Sequence, residues 1–262
     1  MTSAAATRHI IFGRICLTSV LGLALAVAGC AHRPSPDTDR SLTLDAQNSP
    51  GDLYVAMAAE YLRLGRMDEA LRRGEQAIAE DKNNPRAYYM IAMIYLRIGE
   101  IGRADENFRR ALELSPKNPD ILNAYGTFFC SQRRYADAQA QFDKAIANPL
   151  YSAPWIALTN AGTCAASAGH ATESETYYRR ALAANPRFGP ALFRLAELEY
   201  KRGNPRLAKE YLDRYFQSNA PSPQVLGLAI MTERKLGNAK AAATYEQVLR
   251  KSFPDAPQIQ EL

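Results

Sequence analysis

The sequence predicts an all-α protein, a right-handed superhelical solenoid of six helix pairs. Three observations predict it. A block of thirty-four residues, Pro85 to Asn118, recurs along most of the 262-residue chain, and such a period marks an array, not a single layered domain. Within the block, Tyr88, Ile91, Ala92, Tyr95 and Leu96 recur at three- and four-residue intervals, as do Ala104, Phe108, Ala111 and Leu112, so each half carries one apolar helical stripe. Gly99 stands between the halves and Pro116 after the second, where a turn and a stop are needed.

The spacing Tyr88-x2-Ile91-Ala92-x2-Tyr95, Ala104-x3-Phe108, Pro116 follows the tetratricopeptide (TPR) pattern. Laid along the chain, it predicts repeats at 51–84, 85–118, 119–154, 155–188, 189–222 and 223–256, with a tail at 257–262. The first has Tyr54, Ala58, Tyr61, Gly65 and Ala70, with Gly74 where an aromatic residue is usual. The third has Leu122, Tyr125, Gly126, Phe129, Ala138 and Phe142; the fourth has Leu158, Ala161, Gly162, Gly169 and Tyr178. In the fifth, Glu199 and Pro205 depart from the pattern, and in the sixth Glu233 and Glu246 replace aromatics. That drift toward polarity suits a terminal cap whose outer face meets water. Between the third and fourth copies, Asn148 to Pro154 adds two residues. This widened turn is expected to expose Leu150 and Tyr151 as a protein-binding turn.

Ahead of the array, Arg8, His9 and Arg14 precede an apolar run from Ile15 to Ala28, an arrangement that reads as an export signal over residues 1–29. Those fourteen residues span only about 21 Å as a helix, short of a bilayer core of roughly 30 Å. Val27-Ala28-Gly29-Cys30 resembles the bacterial lipobox, which implies lipidation of Cys30. Ala31, not Asp, follows it, so the resemblance implies the periplasmic face of a Gram-negative outer membrane. Residues 30–50, with Pro34, Pro36 and Pro50 and little apolar content, read as a tether.

Basic residues exceed acidic ones by five, or by three once Arg8 and Arg14 are set aside. That balance is too mild to argue for nucleic acid, and the pairs Arg72-Arg73, Arg109-Arg110, Arg133-Arg134 and Arg179-Arg180 read as solvated faces. Three scattered histidines and the lack of a P-loop, G-x-S-x-G or H-E-x-x-H motif argue against an enzyme and against any cofactor. Without Cys16 and Cys30, an even pair remains, Cys130 and Cys164. They lie on neighbouring first helices, two positions apart in the repeat and so about 200° around a helix. This predicts a disulfide between the third and fourth repeats, the alternative being two separately buried thiols.

First helices of such arrays line a concave surface, which in TPR proteins generally holds a peptide. The template places Val55, Leu62 and Arg63 there in the first repeat, and Tyr89, Met93, Leu96 and Arg97 in the second. Asn123, Thr127, Thr159 and Thr163 continue it. The expected groove is apolar and basic at one end and polar in the middle.

The strings Asn123-Ala124-Tyr125-Gly126-Thr127-Phe128-Phe129-Cys130, Ala147-Asn148-Pro149-Leu150-Tyr151 and Asn160-Ala161-Gly162-Thr163-Cys164 are not all TPR consensus. With the lipobox and six repeats, they resemble the PilF/PilW family of type IV pilus biogenesis lipoproteins. The resemblance implies an outer-membrane pilotin that promotes localisation or multimerisation of secretin subunits, or stabilises the pilus fibre. Its implied partners are the secretin, other pilus assembly proteins, and the membrane through acyl chains. The alternatives are an adaptor for outer-membrane barrel assembly and a regulator of a peptidoglycan hydrolase.

Overall fold

In the computed structural model, residues 50–260 are described. The predicted signal peptide, Cys30 and all of the tether except Pro50 lie outside the described residues, as do 261 and 262.

Among the described residues there are twelve α-helices, a closing 3-10 turn and no strand. The helices are α1 Pro50–Arg63, α2 Met67–Glu80, α3 Pro85–Ile98, α4 Ile101–Leu114, α5 Pro119–Ser131 and α6 Tyr135–Ile146. After the widened connection come α7 Pro154–Ser167, α8 Ala171–Ala184, α9 Gly189–Lys201, α10 Pro205–Phe216, α11 Pro223–Lys235 and α12 Ala239–Ser252. Each odd helix packs most extensively on the even helix that follows it, and each pair on the next pair, so the chain is a TPR solenoid.

Local chemistry sets the boundaries. Asn84 and Asn118 cap α3 and α5, each accepting from two backbone N–H groups of the first turn, and Pro85 and Pro119 follow where no N–H is needed. The turn inside each pair requires a left-handed residue. Glycine supplies it at 65, 99, 169, 203 and 237, but in the third pair the position is Arg133, at φ 59°. A side chain there costs conformational energy that glycine avoids.

The largest buried apolar cluster lies in the middle of the array. Phe108 is fully buried and lies 5.2 Å from the Tyr125 ring and 5.5 Å from Phe128, while Tyr125 and Phe129 are 4.1 Å apart between centroids. Gly126 is required beside this cluster, because a Cβ would stand 2.8 Å from the Phe142 ring. Cys130 of α5 and Cys164 of α7 form a disulfide with a Cα–Cα distance of 5.7 Å. It closes a loop whose cross-linking contributes about 3–4 kcal/mol in the chain-entropy account.

The last two pairs differ from the expectation of a water-facing cap. Glu246 does meet solvent, paired with Arg234 and Arg250, but Glu233 is only 2% exposed. Its carboxylate accepts from Lys209 at 2.7 Å and from Asn238 at 2.6 Å. Glu199, equally buried, accepts from Arg202 at 3.1 Å and Asn204 at 2.9 Å. Both carboxylates face inward because a donor from the adjoining turn replaces the lost water. The tail also packs: Pro257–Ile259 form a 3-10 turn, with Ile259 against the core of the last pair.

Candidate functional site

On the first helices of repeats one and two, Leu62 and Arg63 of α1 meet Met93 and Arg97 of α3 around an open groove of about 400 Å³. Ala59 and Met90 complete its lining. The sequence template missed both, although each lies three positions before a residue it did place (Leu62 and Met93), on the same helical face. Four apolar residues thus line the hollow, and two guanidinium groups stand where α1 and α3 end. Arg63 is turned onto Glu60 through bonds of 2.8 and 2.6 Å.

Not every predicted lining residue reaches this surface. Val55 is 3% exposed and packs with Ala77 and Ala87 between the first two repeats, so it belongs to the core. The next pair covers that side of α1. Tyr89 and Leu96 are half-buried against the central cluster, Tyr89 with its ring 6.3 Å from Phe108. Burial pushes the Tyr89 phenol up, with a smaller contribution from the Asp120 charge.

In the middle of the array, Asn123 accepts from Asn160 of the next repeat at 3.0 Å, and Thr127 is exposed with its hydroxyl donating to the Asn123 carbonyl. Thr163 donates to the Thr159 carbonyl and accepts from the Tyr178 hydroxyl. Thr159 is 5% exposed and donates to the Trp155 carbonyl at 2.8 Å, which corrects its placement on the surface. Its hydroxyl is satisfied along its own helix, so burial costs little.

The widened connection splits the two residues assigned to it. Asn148 donates to the Lys117 carbonyl at 2.8 Å and accepts from the Leu150 N–H at 2.9 Å, an Asx turn that fixes the loop. Leu150 consequently stands 88% exposed at its tip. Tyr151 points the other way: it is 8% exposed and packs with Leu122, Ala145 and Ala157. It is a filler beneath the turn, not a surface residue. Its hydroxyl has no hydrogen-bond partner among the described residues, and burial raises its pKa.

A second hollow of about 300 Å³, absent from the sequence expectation, lies on the first helices of repeats five and six. Phe193, Leu228 and Met231 line it, Arg194 and Glu197 pair at 2.7 Å on its rim, and Gln258 of the tail closes one side. Among the described residues no group of three or more His, Cys, Asp and Glu side chains is placed to hold a metal ion. No described helix is long and apolar enough to cross a membrane.

With this geometry in view, residues 54–154 match the middle TPR-like domain family of cilia and flagella-associated protein 70. Tetratricopeptide-repeat families match residues 129–190 and 165–229. The chain is similar to the type IV pilus assembly protein PilF of Pseudomonas aeruginosa, with 25% identity over 91% of this chain and 94% of that one. Among solved structures, that of PilW, described as a widely conserved type IV pilus biogenesis factor, aligns with a TM-score of 0.71 and 34% identity. The alignment covers 82% of this chain and 99% of PilW. The structure of Pseudomonas aeruginosa PilF aligns with a TM-score of 0.68 and 25% identity, over 80% of this chain and 95% of that one.

Proposed function

The chain belongs to the PilF/PilW family of TPR proteins of type IV pilus biogenesis, and we propose that it serves there as a lipid-anchored pilotin. In this reading it captures secretin subunits in the groove of repeats one and two and promotes their localisation and multimerisation at the outer membrane. The observation that carries the reading is the convergence of Leu62, Met93, Arg63 and Arg97 on one preformed hollow, with Met90 and Ala59 as its floor. Methionine suits such a surface, because a flexible, polarisable side chain adapts to the shape it receives. No bond is made or broken; the protein acts by holding.

The anchoring half of the proposal is supported by the Val27-Ala28-Gly29-Cys30 string. Acylation at Cys30 would supply more than one chain, the condition for stable membrane attachment. The exposed Leu150 offers a second contact for the secretin or for another pilus assembly protein.

Substitution Met93→Glu tests the groove. The variant is expected to fold, since Met93 is only partly buried, and to lose secretin multimers on non-dissociating gels together with surface pili. Wild-type multimer levels in that variant would sink the reading. General envelope defects with normal secretin multimers would instead favour a role in barrel assembly or cell-wall hydrolysis.

A further inference from the structure

The two hollows differ in charge. In the C-terminal one, the rim cation Arg194 is matched by Glu197 of the same rim. In the groove of repeats one and two, no acidic side chain lines the hollow. Its two cations are also unequal. Arg63 is engaged by Glu60, an exposed pair three residues apart. Arg97 is exposed and takes part in no ion pair among the described residues. An unmatched guanidinium at the end of an apolar channel is a site for a carboxylate, whose two oxygens fit its donor fork.

The helix sets the spacing. Met90, Met93 and Arg97 lie along one face of α3, and the seven-residue step from Met90 to Arg97 corresponds to a rise of about 10 Å. An extended peptide covers that distance in about three residues. We propose that the groove selects an internal polypeptide segment with an apolar anchor, seated on Met90, Met93 and Leu62, and an Asp or Glu about three residues away that meets Arg97. The inference rests on the groove being the capture site, and it adds the chemistry that the captured segment must carry.

The probes are two fluorescein-labelled decapeptides, blocked at both ends and identical except at one position. Each carries a Leu-Leu anchor followed three residues on by Asp or by Lys. Binding to the purified protein is read by fluorescence anisotropy. The Asp peptide is expected to bind about tenfold more tightly than the Lys peptide, the scale of one charged hydrogen-bonded contact, and raised salt should narrow the gap. Arg97→Glu, an exposed change checked for fold by circular dichroism, should reverse the preference. Equal affinity for both peptides, with Met93→Ala weakening both, would overturn the charge selection and leave the groove as the capture site. Binding that ignores Met93→Ala, or no saturable binding of either peptide, would overturn the groove itself and the inference with it.

Discussion

One structural position is solved in two ways at the two ends of the array. Near the end of the first helix, repeats one to three carry Tyr61, Tyr95 and Phe129, each with a guanidinium over its ring: Arg66 at 4.8 Å, Arg103 at 5.4 Å and Arg134 at 4.2 Å. Repeats five and six carry Glu199 and Glu233 there, each bonded to the asparagine five residues on, Asn204 or Asn238. Both solutions tie the end of the first helix to the turn or the first turn of the second helix. A ring gains from area buried and from the cation on its face, whereas a buried carboxylate is tolerable only while its donors are in place. The aromatic half therefore fails when volume is removed, and the carboxylate half when a proton or a donor changes.

Truncation tests this most strongly. Phe129→Ala should cost about 3–5 kcal/mol in urea unfolding, because the ring is buried against Tyr125 and Phe128. Glu233→Leu, which removes a buried charge and leaves Lys209 free to reach water, should change stability by no more than about 1–2 kcal/mol. Equal costs would mean that the two positions do the same work after all.

Acidity should separate the halves next. Burial alone would raise the Glu233 carboxyl, but the bonds from Lys209 and Asn238 outweigh it and hold the group below its ordinary value. Its contribution is therefore present above the unfolded carboxyl value of about 4.3 and is lost as pH falls through the lower folded value. Tyr125 acts in the opposite sense. Burial, reinforced by its bond to Asp105, pushes the phenol up; its contribution is present below the unfolded value of about 10 and is lost as pH rises above it. Hydrogen exchange should show α11 and α12 losing protection first in acid, and α5 and α6 first in alkali. Simultaneous loss along the array at both extremes would contradict this.

The smallest effect concerns the cation over the ring. Arg134 also pairs with Asp137 at 2.7 Å, both side chains half-exposed. Arg134→Ala should cost about 0.5–1 kcal/mol, measurable as a small shift in the urea midpoint.

Much of the fold was legible in the chain because its causes are local. Apolar residues at helical spacing, prolines and asparagines at first turns, and glycines at the pair turns state where helices begin, end and reverse. Arg133 shows the limit: the third pair makes the same left-handed turn without glycine, held there by its neighbours and not by residue preference. The groove was legible in part. Leu62, Arg63, Met93 and Arg97 follow from repeat position, whereas Met90 and Ala59 are signalled only by their i, i+3 spacing to Met93 and Leu62.

By itself the sequence determined the all-helical array, the pairing of its helices and the two cysteines that face each other, since each follows from a period or an offset along one chain. Only the tertiary structure decided which side chains of an amphipathic helix are covered. Val55, Thr159 and Tyr151 were withdrawn from the surface, and Glu233 was drawn into the core. The reason is that burial of a solenoid residue depends on the neighbouring pair stacked against it, and no pattern within a single helix records how closely that neighbour approaches.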